Sequence, residues 1–84
     1  MWIKTRKNNN TYVYCMHKIV EINIIEECNG KFHICTNSDY GSFYSLGEYT
    51  TLQQANDILE EILSDYDYGV STYTIPEDKE NYEN

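Results

Sequence analysis

Tyr44-Ser-Leu-Gly-Glu-Tyr-Thr-Thr-Leu-Gln-Gln-Ala-Asn-Asp-Ile-Leu-Glu-Glu-Ile-Leu63 reads as a short strand, a glycine break and a capped amphipathic helix. Thr51 can cap the helix through its hydroxyl, and Gln54, three residues on, has the spacing of a capping box. Leu52, Ala55, Leu59, Ile62 and Tyr66, joined by Ile58 and Leu63, recur in steps of three and four, which gives the helix one apolar face. Such a face has to be buried, and the chain on either side supplies strands to bury it.

Upstream, Phe43 to Glu48 is a strand with Tyr44 and Leu46 as its inward pair, and Gly47 marks a bend or bulge. Asn37 to Ser42 is a loop by composition. Before it, Val20, Ile22 and Ile24 alternate with Glu21 and Asn23, the period of a half-buried strand, and Asn29-Gly30 marks a hairpin. A strict two-residue turn would put the apolar sets of the two strands on opposite faces. A Cys28-Asn29-Gly30 loop with Gly30 left-handed sets Ile24 opposite Ile34 and Glu27 opposite Lys31, and is the preferred register. Its other face then holds Glu21, Asn23, Ile25, His33 and Cys35, partly polar and open to solvent. Further back, Met1 to Thr5 and Thr11 to Cys15 form strands around a polar Arg6 to Asn10 turn, and Met16 to Lys18 is a bend. Downstream, Asp65 to Gly69 ends the helix, Val70 to Ile75 is a last strand stopped by Pro76, and Glu77 to Asn84 is too polar to pack. The expectation is an α+β domain over residues 1–76, an antiparallel sheet of about five or six short strands with one helix on a face, and an acidic tail over 77–84.

Eighty-four residues close one core and bury roughly 60–65% of the unfolded surface. Fourteen acids against six bases give a net charge of −8, and from Phe32 to Asp78 nine acids stand without a lysine or arginine. That balance repels phosphate and argues against direct nucleic-acid binding by the main surface. Three cysteines with no leader-like segment before them argue for a reduced, cytoplasmic protein, and the longest apolar run is far short of a membrane span.

Motifs for chemistry are sparse. Cys15-Met-His17 and His33-Ile-Cys35 are two ligand-type pairs that could together make a tetrahedral site, but their spacing is not that of zinc knuckles, and small hydrophobes with strand histidines is the plainer reading. Cys28 lies beside Glu26 and Glu27, which oppose thiolate formation. No glycine belongs to a phosphate-cradling loop. Neither an enzyme, a cofactor nor a bound metal is expected. The carboxylates remain: Asp57, Glu60, Glu61 and Asp65 share the outer half of the helix with no lysine to pair them. Their plain reading is a solvated face. Their sharper reading is a negative surface for a basic partner, extended by Asp39 and Tyr40 and by Tyr66, Asp67 and Tyr68 in the turn after the helix.

Met1-Trp-Ile-Lys4, Leu46-Gly-Glu-Tyr-Thr-Thr51, and then Ala55, Ile58, Leu59, Glu61 and Ile62 resemble a group of small phage and prophage proteins of unassigned function. Those proteins open on Met-Trp-Ile-Arg/Lys, pass through a hairpin and carry Leu-Gly-x-Tyr-x-Thr into a helix; a following tyrosine and proline match Tyr73 and Pro76. The resemblance spans most of the chain, leaving out Cys15 to Glu27 and Asn37 to Ser42. It implies a mobile-element setting, in which small acidic proteins often bind and inhibit a host defence protein, as anti-CRISPR proteins do. The alternative is a homo-oligomeric nucleotide-binding or phage-assembly module.

Overall fold

Local sequence chemistry accounts for most of the elements in the computed structural model, which describes residues 1–38 and 43–77. Asn8 and Asn9 adopt positive φ of 50° and 70°, and this left-handed pair closes a two-residue turn between β1 (Trp2–Lys7) and β2 (Asn10–Cys15), with Lys7 opposite Asn10. Asparagine tolerates that region better than most residues. A single 3₁₀ turn over Met16–Lys18 then redirects the chain into β3 (Ile19–Glu26). Gly30, at φ 81°, closes the next hairpin into β4 (Phe32–Ser38). Glu27 N–H donates to Lys31 O, and Ile24 faces Ile34, which is the register expected from the apolar pattern.

β5 (Phe43–Tyr49) pairs antiparallel with β4, but Ile34 faces Gly47 while Cys35 faces Ser45, so Leu46 is an extra residue. This bulge separates the expected inward pair: Leu46 is fully buried, and Tyr44 is exposed. α1 (Leu52–Asp67) starts at Thr51, whose Oγ1 accepts from Gln54 N–H at 3.1 Å. β6 (Thr72–Thr74) follows Gly69, which sits at φ 77°.

The architecture is α+β, with a helix against a sheet, but among the described residues the strands divide into two three-stranded sheets rather than one. β3, β4 and β5 form an antiparallel meander; β2, β1 and β6 form a hairpin sheet in which β6 runs parallel to β1. That parallel pairing departs from the expected all-antiparallel sheet. Parallel strands need a long crossover, here almost the whole chain, and no local pattern announces it.

The core lies between the layers. Ile3 of β1, Ile34 of β4, Leu46 and Tyr49 of β5 meet Ala55, Ile58 and Ile62 of α1, and Tyr73 and Ile75 close the cluster. Each large apolar side chain buried there contributes about 1.5–3 kcal/mol. Two side chains fasten β1 to the bulge: Thr5 Oγ1 donates to Leu46 O at 2.7 Å, and Lys7 Nζ donates to Ser45 O. Tyr49 Oη donates to Pro76 O at 2.7 Å and ties down the segment after β6.

The polar face of the meander is therefore only partly open. Cys35 is 3% exposed and lies within electrostatic reach of Lys7, whereas Glu21 and Ile25 remain at the surface. The segment 78–84 of the expected tail lies outside the described residues; Glu77 is exposed.

Candidate functional site

Two groups of side chains stand out, one where the hairpin sheet meets the meander and one along the outer side of α1.

At the first, adjacent strands present His33 and Glu48 as direct neighbours, with Ser45 two pairs further along, opposite Cys35. His33 Nδ1 is 3.1 Å from Ser45 Oγ, and its Nε2 lies 2.9 Å from Glu48 Oε2 and 3.2 Å from Glu27 Oε1. Lys31 pairs with the other oxygen of Glu48 at 3.2 Å. Lys7 reaches in from β1, its ammonium below the usual lysine range because burial disfavours the charge, with Cys35 acting weakly the other way. The Cys35 thiol is pushed up by burial and by Glu27, partly offset by Lys7, so it stays a protonated core group. A groove of about 510 Å³ runs beside these residues, between Arg6 to Asn8 at the end of β1 and Ile75 to Glu77. The order hydroxyl, imidazole, carboxylate is one that general-base chemistry uses. Here the carboxylate end is also engaged elsewhere, since Glu48 holds Lys31, and the backbone carbonyl of Ser45 accepts from Lys7. The cluster is a polar seam that joins β1 to β4 and β5.

The histidine and cysteine pairs singled out by spacing go separate ways. His17 is exposed and lies edge-on to Tyr66, with ring centroids 6.2 Å apart, while His33 is held by Ser45 and Glu48. Cys15 is half-buried at the end of β2, opposite Trp2. Among the described residues no three His, Cys, Asp or Glu side chains gather as a metal site.

Along α1 the helix buries a narrower stripe than its sequence offers. Ala55, Ile58 and Ile62 are buried and Leu59 is half-buried, but Leu52, Leu63 and Tyr66 of the expected apolar face are exposed. The acids on the other side differ in what they do. Asp57 accepts from Gln53 Nε2 at 2.8 Å, one turn away. Glu61 Oε1 accepts from the hydroxyl of Tyr73 at 2.7 Å, so it is an anchor for a core side chain. Tyr73 titrates well above an ordinary phenol, first because it is buried, then because the neighbouring carboxylate favours the bound proton. Nothing in the helix periodicity marks Glu61 apart; the signal would have been Tyr73, a tyrosine inside an apolar strand that needs a partner for its hydroxyl. Glu60, Asp65 and Asp67 have neither a hydrogen bond nor a salt bridge from their side chains among the described residues.

The helix ends in a concentration of exposed bulk. Tyr68, its C-cap, is 85% exposed, and Leu63, Tyr66 and Val70 are each more than a third exposed. The last turn holds no basic residue, so Asp65 and Asp67 add their charge to the negative end of the helix dipole. Exposed aromatic and aliphatic side chains thus stand near acids without a basic partner among the described residues. Asp39 and Tyr40, expected to extend that face, lie outside the described residues. No helix among the described residues is long and apolar enough to cross a membrane. Comparison with protein-family models, with curated proteins and with solved structures finds no match to this chain.

Proposed function

We propose that this chain is a protein-binding inhibitor, a mobile-element product that engages a host defence protein in the host cytoplasm in the manner of anti-CRISPR proteins. The observation that carries the reading is the end of α1, where Tyr68, Tyr66 and Leu63 are exposed beside Glu60, Asp65 and Asp67, acids with no basic partner among the described residues. Exposed tyrosines supply contact area at low entropic cost, and unpaired carboxylates steer the face toward a basic groove such as one that holds nucleic acid. The resemblance to small phage proteins supplies the setting. No catalytic step and no cofactor enter this reading.

The test is affinity capture from a host lysate with mass spectrometry of what is retained, repeated with a variant altered at the face. Glu60→Lys, Asp67→Lys and Tyr68→Ala alter it without touching the Glu61 anchor. A single partner retained by the wild-type chain and lost with the triple variant supports the reading. Equal retention by both at physiological salt refutes this face as the contact.

A further inference from the structure

Each of the two sheets has two edge strands, and three of the four carry a device that discourages a further strand. β6 is three residues long and is soon followed by Pro76. β3 carries exposed Glu21 and Glu26, with a register shift between Ile19 and Glu21. β5 has the Leu46 bulge, and its Ser45 and Leu46 carbonyls are taken up by the side chains of Lys7 and Thr5. β2 is different: Asn10-Thr-Tyr-Val-Tyr-Cys15 contains no charge, proline, glycine or register shift, and its first four residues are exposed.

Which way its backbone groups point follows from the other side of the hairpin sheet. Trp2 N–H donates to Ser71 O at 2.9 Å and Lys4 O accepts from Ile75 N–H at 2.8 Å, so Trp2 and Lys4 direct their backbone groups toward β6. Their partners across the hairpin, Val13 and, by the same alternation, Thr11, turn theirs to the open side, as Cys15 does its N–H, while the Cys15 carbonyl opens the 3₁₀ turn over Met16–Lys18. Among the described residues no backbone group meets them there.

We propose that β2 is the interface of a symmetric homodimer, two copies pairing antiparallel about Val13 to make one continuous sheet. The strand is self-complementary in that register. Val13 lies on the two-fold axis opposite its own equivalent, Thr11 meets the second copy's Cys15, and both pairs are of the outward-pointing, hydrogen-bonding kind. Tyr12 faces the second copy's Tyr14 in the closer, non-hydrogen-bonded position, where aromatic cross-strand pairs are favourable. Val13, 54% exposed in one copy, is covered by its equivalent. Charge favours this edge over others. The first acid in the chain is Glu21, so the hairpin is an acid-free stretch on a protein of net charge −8, and pairing along it brings no carboxylate of these strands into the seam. The bases Lys4, Arg6, Lys7 and Lys18 flank the strand in both copies and repel mildly. This proposal does not rest on the reading of the helix end.

A single strand edge makes a small interface, so association is in the micromolar range or weaker, and the mass of the full chain should be measured by sedimentation equilibrium from about 1 μM to about 1 mM. The expected result is a mass rising to twice that of the chain. Added salt should tighten the dimer by screening like charges, opposite to its effect on an acidic face bound to a basic partner. Val13→Lys places a charge on the axis, and Thr11→Lys does so on the same outward row; each should raise the dissociation constant by about tenfold or more, while circular dichroism reports an unchanged fold. A monomer over the whole range, a dimer indifferent to both lysines, or one that loosens with salt overturns the proposal.

Discussion

Removing the hydroxyl of Tyr73 tests whether the acidic face of α1 has a structural member. Tyr73→Phe keeps the ring in the core, where the residue is 4% exposed, and deletes the 2.7 Å bond to Glu61. A hydrogen bond to a charged group contributes roughly 1.5–3 kcal/mol, but Glu61 is exposed and water can replace the lost donor, so a value at or just below the bottom of that range, about 1–1.5 kcal/mol, is expected. For a domain of this size Tm should fall by roughly 4–8 °C per kcal/mol. The titration has a definite sign. The folded chain holds the Tyr73 proton more tightly than the unfolded chain, whose tyrosines titrate near about pH 10. The stabilisation is therefore complete below about pH 10 and is lost as pH rises toward the elevated folded value. Urea unfolding of the wild type and Tyr73→Phe at pH 7 and at several points above pH 9 measures this. The gap between them should narrow on the alkaline side, and comparing the pair cancels the other eight of the nine tyrosines. Glu61→Gln in a double-mutant cycle should show coupling of about 1 kcal/mol. Parallel alkaline losses in the two proteins, or coupling near zero, would refute the anchor and return Glu61 to the solvated face.

Gly47→Ala should destabilise by about 1–3 kcal/mol in urea unfolding, because its Cβ would stand 2.6 Å from Tyr49 Oη and 3.1 Å from Ile75 Cγ2. The cost should shrink in a Tyr49→Phe background, which removes the nearest atom. Thr5→Val keeps shape but leaves the buried Leu46 carbonyl without its donor, at about 1–3 kcal/mol, whereas Thr5→Ser should retain most of the stability. Asp67→Asn should raise stability by about 0.3–1 kcal/mol, since it removes a negative charge from the helix C-terminus, and should weaken capture of a host partner; a loss of stability instead would show that Asp67 has a structural task.

The parts of the fold legible in the sequence are those written locally. Thr51 and Gln54 marked the helix start, Gly30 the hairpin, and the alternation around Ile24 its register, because caps, left-handed glycines and period-two patterns act over a few residues. Gly47 signalled an irregularity but not its effect, the turning of Leu46 inward and Tyr44 outward. The parallel pairing of β1 with β6 joins residues some seventy apart and has no short-range signature. At the helix, the apolar stripe was broader in the sequence than in the core, since Leu52, Leu63 and Tyr66 share the apolar side but overhang the sheets. Periodicity gives a direction around the helix and not the width of what covers it. The seam around His33 was hidden for the opposite reason: β4 shows only the His33-Ile-Cys35 spacing, and Lys7 of β1 and Ser45 and Glu48 of β5, which complete it, belong to no motif.

The β1–β6 pairing also sets the order in which the molecule can be completed. During synthesis the β1–β2 hairpin and the β3–β4–β5 meander emerge early and contain mainly sequence-local pairings. Yet Ile3 lacks its cross-strand neighbour Tyr73, and α1 the anchor at Glu61, until β6 has been made. The last strand thus acts as a latch. Folding to the native core therefore waits for β6, and a chain cut before Thr72 is expected to stay open to proteases.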